Sequence, residues 1–200
     1  MPSSMSSLLS WALLAVAFFW AVGAYNRLVR LRAQVGQAFA ALDAQLVRQL
    51  VWVQGSLPPA LRGAAPAQPA RADDAVGAAW ASLQAASEQF AHSLAAARAR
   101  PLDAAALAAL SAARGVLETS WQRVWTLGED PDGLALPEPM LGQHEQLLAL
   151  ALPLCEAFNG AVRGYNEAVV QFPAVLLARL FGFRQAGTLV PMALVAGEGA

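Results

Sequence analysis

The side chains of this sequence best suited to chemistry are two histidines, one cysteine and a few carboxylates. Glu88 lies one helical turn before His92, so on a helix the two share a face and offer two metal ligands. A di-metal site in a helical bundle takes two Glu-x-x-His motifs and further carboxylates, and the sequence contains no Glu-x-x-His. We interpret the pair as a solvated surface pair and expect no metal or other cofactor.

Nucleophilic catalysis and phosphate binding also lack their usual sequence context. Cys155 is the single cysteine, and no Gly-x-Ser-x-Gly elbow or Gly-rich phosphate loop is present. A small buried apolar role is therefore expected for Cys155. The acidic loop at Glu129, Asp130 and Asp132 lacks the EF-hand spacing, which favours a solvated turn over a calcium site. We predict no catalytic residue and a protein that is not an enzyme.

Three tryptophans offer the walls of a ligand cage, but their spacing favours core packing. Trp80 and Trp121 fall on the apolar seams given below, and Trp125 lies one turn after Trp121. Large aromatic side chains dominate the buried area of protein cores. The formal net charge of −1 also differs from the strongly basic character of nucleic-acid readers, so no nucleic-acid partner is expected.

An uncharged apolar run occupies residues 8–24, LLSWALLAVAFFWAVGA. Its length is near the lower end of the roughly 17–25 residues of a membrane-spanning helix. Trp11 and Tyr25 lie near its ends, as interfacial aromatic residues do. The chain as a whole is 57% hydrophobic and 14% charged, whereas charged residues make up about a quarter of a soluble domain. We therefore predict a transmembrane helix over 8–24 after a short N-terminal segment, 1–7.

A cleaved signal peptide is the alternative, because Val22-Gly23-Ala24 resembles a cleavage site. Signal peptides carry positive charge before the apolar run, but residues 1–7 contain no Lys or Arg. The arginines come after the run, at Arg27, Arg30 and Arg32. This asymmetry favours an uncleaved anchor with the N-terminus outside and the domain in the cytoplasm, the domain outside being the alternative orientation.

The rest of the chain shows helical periodicity and no period-2 strand pattern. Four seams of side chains at steps of three and four predict four helices. The first seam is Leu28, Leu31, Val35, Phe39, Leu42, Leu46, Leu50 and Val53. The second is Val76, Trp80, Leu83, Ser87, Phe90 and Leu94, and the third is Leu107, Leu110, Arg114, Leu117, Trp121 and Val124. The fourth is Leu147, Ala151, Leu154, Phe158, Ala161, Tyr165, Val169 and Phe172.

The breaks between the seams define the predicted architecture. A linker rich in Pro, Ala and Gly covers 58–71, Asp73 or Asp74 and then Asp103 are predicted helix caps, and 128–139 is a loop. Pro153 is expected to kink the fourth helix or to begin a restarted one. Four such helices with short connections predict an all-α fold: a transmembrane helix followed by an elongated, coiled-coil-like antiparallel bundle over 25–183, with a tail at 184–200.

Two segments are more specific than generic helix, YNRLVRLRAQVGQAFAALDAQLVRQL from Tyr25 and YNEAVVQFPAVLLARLFGF from Tyr165. In their order, and in their position after an apolar helix, they resemble the LemA family of bacterial membrane proteins. The residues that match the family motifs are Tyr25, Asn26, Leu28, Val29, Leu31, Arg32, Asp43, Gln45, Leu46, Arg48, Tyr165, Asn166, Phe172, Pro173, Gly182 and Phe183. The resemblance implies a helical bundle at the bacterial inner membrane. The biochemical function of the family is not established, so the resemblance bears on fold and topology more than on activity.

The sequence departs from the family in its middle. Family members continue after the arginine stretch with Asp-Leu-Ile-Pro-Asn-Leu, where this chain reads LVWVQGSLP over 50–58. The Gly-Tyr and His-Glu features that follow in the family are also missing, and the middle helices are richer in alanine. The resemblance therefore indicates a divergent member.

Two functions are compatible with these features. The leading hypothesis is a membrane-anchored interaction or scaffolding module whose partners are the lipid bilayer, unidentified proteins and a second copy of the chain, because thin alanine-rich helices bury little area. The alternative is a membrane-shaping or lipid-organising protein that uses Val175–Phe183, a short apolar segment with Arg179 and Arg184 at hand. Folding of that segment back onto the bundle is the competing prediction for its location.

Overall fold

A computed structural model describes residues 3–58, 75–128, 138–172 and 174–190. All the regular structure in these ranges is helical, which confirms the predicted all-α class. The five helices are α1 (Ser3–Ser56), α2 (Ala75–Ala99), α3 (Ala104–Gly128), α4 (Glu138–Val170) and α5 (Ala174–Phe181). Most of the predicted linker, the predicted caps at Asp73 and Asp74, the acidic loop, Pro173 and residues 191–200 lie outside the described residues.

Helix α1 is a single helix of 54 residues, about 80 Å long at 1.5 Å per residue. Its first part, the apolar run, presents large apolar side chains to the outside all round the helix, with Leu13 73% and Phe19 74% exposed. Its second part buries the predicted seam, including Leu28, Val35 and Leu42. The two parts share one helix because neither proline nor glycine pairs interrupt the sequence between them.

The bundle consists of two antiparallel helix pairs, α1 with α4 and α2 with α3, and α2 also packs against α1. The antiparallel sense of the first pair follows from Gln45 Nε2, which donates to the Leu147 carbonyl, and from Trp52 Nε1, which donates to Gln143 Oε1. The four seams meet in one core, but the prediction that Phe172 ends the fourth seam is wrong, because α4 ends at Val170 and Phe172 is 76% exposed. Each fully buried leucine in the core contributes roughly 1.5–3 kcal/mol to stability, so the seams account for the association of the helices.

Two helices in the described chain are long and apolar enough to cross a membrane, and they differ in what surrounds them. The apolar run of α1 is almost entirely uncovered, whereas α4 packs along α1 and buries Cys155, Phe158 and Tyr165. The outer face of α4 carries exposed charges at Glu145, Glu156, Arg163 and Glu167. Helix α4 is thus a core helix of the bundle.

The alanine-rich pair α2–α3 is closed by a short turn. Asp103 caps α3 as predicted, because its Oδ1 accepts from the backbone amides of Ala105 and Ala106 at 2.8 and 3.3 Å. Buried alanines such as Ala86 and Ala113 let the two helices approach closely. Pro153 lies on the exposed face of α4, which runs through it without a restart.

Candidate functional site

The end of the bundle next to the apolar run brings together residues from both ends of the chain. We call it the Tyr25 corner, residues 20–32 with 165–172 and 174–190. The Tyr25 ring contacts Phe181 at a centroid distance of 5.0 Å and Phe183 at 6.0 Å, both tilted or edge-on. These are the geometries that aromatic pairs prefer. Arg27 Nη1 donates to Gln171 Oε1 at 3.4 Å beside this cluster.

Helix α5 packs with its small side chain inward and its large ones outward. Ala178 is buried against the bundle, whereas Leu176, Leu180 and Phe181 are 59%, 76% and 56% exposed. Phe172, just before α5, is also 76% exposed. A helix that only covers a soluble core places its large apolar residues inward, whereas Phe181 contacts Tyr25 at the edge of the outward face and Leu176 and Leu180 are left largely uncovered in the described part of the chain.

The end of α5 forms a Schellman motif that turns the chain back towards Tyr25. The Phe183 amide donates to the Ala178 carbonyl at 2.9 Å, and Gly182 between them has φ = +72°. Glycine is favoured there because a side chain is strained in the left-handed region. This geometry gives a physical reason for Gly182-Phe183 in the sequence.

After α5 the chain continues as an extended segment, residues 184–190, which two asparagines of α4 hold by its backbone. Asn166 accepts from the Ala186 amide and donates to its carbonyl at 2.7 and 2.9 Å. Asn159 makes the same pair of bonds to Leu189 at 2.9 and 2.8 Å. Seven residues of helix and three of extended chain both span about 10 Å, so the two carboxamides match the two peptide groups.

The backbone of Gly187 passes close to the start of α3. Its amide donates to the Leu102 carbonyl at 3.3 Å, and a Cβ on Gly187 would lie 2.5 Å from the Ala104 Cα. Only glycine fits this approach without a shift of the backbone. The described part of the predicted tail is therefore a packed element that connects α3 and α4.

The described residues of the family motifs lie in different surroundings. Tyr25, Tyr165, Asn166, Gly182 and Phe183 belong to the Tyr25 corner, and Leu28 and Leu46 are buried in the core. Asp43 forms an ion pair with Arg98 of α2, and Gln45 reaches α4. Leu31 is half-buried against the core, Arg32 lines a groove with Tyr165 and Phe183, and Phe172 lines a second groove with Arg27. The other described residues of the motifs are exposed: Asn26, Val29 and Arg48.

A second polar cluster lies inside the bundle and joins α3 to α4. His144 is 3% exposed, stacks on Trp121 at 4.9 Å, and places Nε2 3.4 Å from Glu118 Oε2. Burial and, to a smaller extent, the nearby Arg114 guanidinium together lower the pKa of His144 to about 4. Burial likewise lowers the pKa of Arg114 to about 10 and raises that of the Glu118 carboxyl.

This buried cluster offers little chemistry of its own. Burial raises the pKa of the Cys155 thiol, which keeps it protonated and a poor nucleophile. Gln49 Oε1 and Trp121 Nε1 are buried and find no hydrogen-bond partner in the described residues. The same ranges contain no group of three metal-binding side chains, and Glu88 accepts from Gln84 while His92 is exposed.

Sequence reasoning missed the asparagine pair and the His144–Glu118 contact, although signals for both were present. Asn159 and Asn166 each follow a seam aromatic residue and lie seven positions apart, which places them on one face. His144 lies three residues before Leu147, the first residue of the fourth seam. Polar residues beside a seam, or in register with its extension, were the signal.

Comparison with protein-family models, with curated proteins and with solved structures gives no match.

The depressed pKa of His144 predicts a loss of stability in acid. Between the ordinary pKa of 6.5 and the folded value of about 4, the unfolded chain binds more protons, so the free energy of unfolding falls as the pH falls through this window. Going from pH 7 to pH 5 should cost about 2 kcal/mol through this group. Glu118 has a raised pKa and acts in the opposite direction, so the comparison is made against His144→Gln.

The measurement is denaturant unfolding of the full chain in detergent, followed by circular dichroism. Between pH 7 and pH 5, the free energy of unfolding of His144→Gln should fall by about 2 kcal/mol less than that of the wild type. The exposed His92→Gln is the matched control and should keep the wild-type profile. An identical acid loss in wild type and His144→Gln would show that His144 is not responsible.

Proposed function

We propose that the chain is a single-pass membrane protein of the LemA type whose helical bundle is a non-enzymatic scaffold fixed to the bilayer. The observation that carries the proposal is the continuity of α1, in which an apolar run uncovered on all sides passes without a break into a helix buried in the bundle. A span of this length suits a bilayer. A rigid helix also transmits the position of the membrane to the domain.

The packing around Tyr25 favours an anchor over a cleaved signal peptide. Cleavage after Ala24 would cut α1 in mid-helix, one residue before the ring that contacts Phe181 and Phe183. It would also separate Trp20 and Gly23 from Phe172 and Ala174, with which they line a common groove. The last turn of the apolar run thus borders the end of the bundle, although the rest of the run is uncovered.

The arginines after the run orient the protein. Arg27, Arg30 and Arg32 follow the apolar run, and positive charge is retained on the cytoplasmic side. We therefore place the domain in the cytoplasm, at the inner membrane of a bacterial cell. This places α5 at the cytoplasmic face of the same membrane.

An epitope tag after Ala200 tests the orientation. In intact spheroplasts the tag should resist added protease and become sensitive only when the membrane is permeabilised. A tag placed before Met1 is the matched control and should be digested in intact spheroplasts. Digestion of the Ala200 tag from outside would reverse the proposed topology.

The scaffolding role is supported by the long, exposed outer face of α1 beyond the membrane. Gln34, Gln37, Ala41 and Arg48 are exposed there, while the opposite face of the same helix is buried. A straight helix with one free face offers a docking surface for another helix, from a partner protein or from a second copy of the chain.

In-cell photo-crosslinking tests this face. A photoreactive residue at exposed Gln37 should trap a reproducible protein adduct, whereas the same residue at buried Leu42 should trap none between chains. Mass spectrometry of the adduct distinguishes a second copy from another protein. Equal and negligible trapping at the two positions would contradict the scaffolding role.

A second candidate function, the organisation of lipid by the C-terminal segment, is favoured by the packing of α5. Its apolar face, formed by Leu176, Leu180 and Phe181, is exposed at the level of Tyr25, where α1 leaves the apolar run. Arg179 and Arg184 are exposed beside it. Such a helix suits the boundary between headgroups and acyl chains, so the bundle would contact the bilayer at two points.

Site-directed spin labelling of the full chain in vesicles tests this contact. In a Cys155→Ala background, a nitroxide on Leu180→Cys should be more accessible to oxygen than to an aqueous nickel complex. The control label on Ala109→Cys, an exposed position of α3, should show the opposite preference. A Leu180 label as accessible to nickel as the Ala109 label would exclude insertion of α5.

The LemA resemblance supports the same proposal through the position of its motif residues. The Tyr-Asn motif at Tyr25 and the Gly-Phe motif come from opposite ends of the bundle sequence, and Tyr25 contacts Phe183 at the Tyr25 corner. Asn166, from the second Tyr-Asn motif, holds the chain that follows Phe183 through the backbone of Ala186. Motifs that serve one corner are expected to recur together in a family. Their contact gives a physical reason for the combination.

A further inference from the structure

A groove at the Tyr25 corner combines an apolar wall with an arginine at one end. It encloses about 410 Å³ between the end of the apolar run and the elbow from α4 to α5, within the roughly 300–1,000 Å³ typical of small-ligand sites. The apolar run contributes Trp20, Gly23 and Ala24 to its walls, and the elbow contributes Phe172 and Ala174. Arg27 and Gln171 supply its polar end.

The charge around the groove is strongly one-sided. Residues 20–32 and 165–190 hold five arginines and a single carboxylate, Glu167. In the described chain, the five arginines Arg27, Arg30, Arg32, Arg179 and Arg184 are all exposed, and none is within ion-pair distance of a carboxylate. Arg27 has only the neutral Gln171 oxygen at 3.4 Å. An exposed guanidinium without a carboxylate partner is well suited to bind a phosphate.

The level of the groove identifies the source of the phosphate. Trp20 precedes Arg27 by seven residues, about 10 Å along α1. Residues 8–24 are near the lower limit for a spanning helix, so the turns around Trp20 and Gly23 are needed within the apolar layer. The groove therefore opens where acyl chains meet headgroups, with its apolar wall on the acyl side and Arg27 on the headgroup side.

We propose that this groove binds one anionic phospholipid, with its phosphate on Arg27 and an acyl chain along Trp20, Gly23 and Ala174. The inference rests on the proposed membrane anchor and adds a defined ligand site to it. Gly23 is part of the site because a Cβ there would meet no atom within 4 Å, which leaves the wall open for an acyl chain.

Native mass spectrometry of the full chain in mild detergent tests the site. The protein is incubated with dioleoylphosphatidylglycerol or with dioleoylphosphatidylcholine, and the retained lipid is counted. The wild type should retain one phosphatidylglycerol in preference to phosphatidylcholine. Arg27→Gln should weaken retention of phosphatidylglycerol about tenfold, the fold-change expected from the loss of one charge-assisted hydrogen bond.

Two further variants separate the groove from general basic charge. Gly23→Leu keeps Arg27 and fills the apolar wall, so it should also reduce retention. Arg48→Gln removes an exposed arginine from the same helix, about 30 Å further along it, and should retain lipid as the wild type does. Equal retention of phosphatidylglycerol by the three variants Arg27→Gln, Gly23→Leu and Arg48→Gln would overturn the proposal.

Two controls complete the test. Inorganic phosphate at millimolar concentration should not displace the lipid, and displacement would show a free-anion site and overturn the assignment to phospholipid. Alkaline carbonate extraction of cell membranes tests the anchor separately. If the protein stays in the membrane but its retention of phosphatidylglycerol does not depend on Arg27, the groove proposal alone is refuted. If carbonate releases the protein, the membrane anchor and the groove are refuted together.

Discussion

The unbroken hydrogen bonding of α1 is the constraint on which the rest of the structure depends. One helix carries both an apolar surface with no protein partner and a seam that α4 covers. Because an α-helix bends little without proline, glycine pairs or an inserted side chain, the direction of the apolar run sets the direction of the bundle. The antiparallel pairing with α4 then returns the chain to the level at which it left the run.

This return explains why the corner at Tyr25 is assembled from distant parts of the sequence. Helix α4 ends at Val170, beside Arg27, and α5 turns across the end of the bundle with Ala178 facing inward. A small residue inward lets α5 lie close to the bundle, and it leaves Leu176 and Leu180 on the outside. These exposed apolar residues of α5 lie next to the exposed apolar run of α1. The proposed contact of both with the bilayer accounts for their exposure.

The helices could be predicted from the sequence because burial and periodicity agree. Leu28, Phe90 and Leu117 lie on seams that the structure buries completely or nearly so, and Asp103 has the side chain that a cap requires. The polar contacts could not be predicted in the same way, since a seam position shows that Arg114 or His144 faces inward but not which residue of another helix it meets. Those pairings depend on the relative rotation and height of α3 and α4, which local patterns do not contain. The orientation of α5 could not be predicted from the sequence either, because its side chains are apolar on nearly every side of the helix.

The asparagine pair on α4 has a consequence for how the chain can change. Asn159 and Asn166 bond to the peptide groups of Leu189 and Ala186 as a neighbouring β-strand would, although the described part of the chain contains no sheet. Hydrogen bonds of this kind do not themselves select side chains along 184–190, but Ala186 and Leu189 are buried in the core and Gly187 has no space for a Cβ. The path of this segment should therefore depend on the two asparagines of α4 and on the size of the side chains at 186, 187 and 189, whereas the exposed positions between them are free to change without moving it.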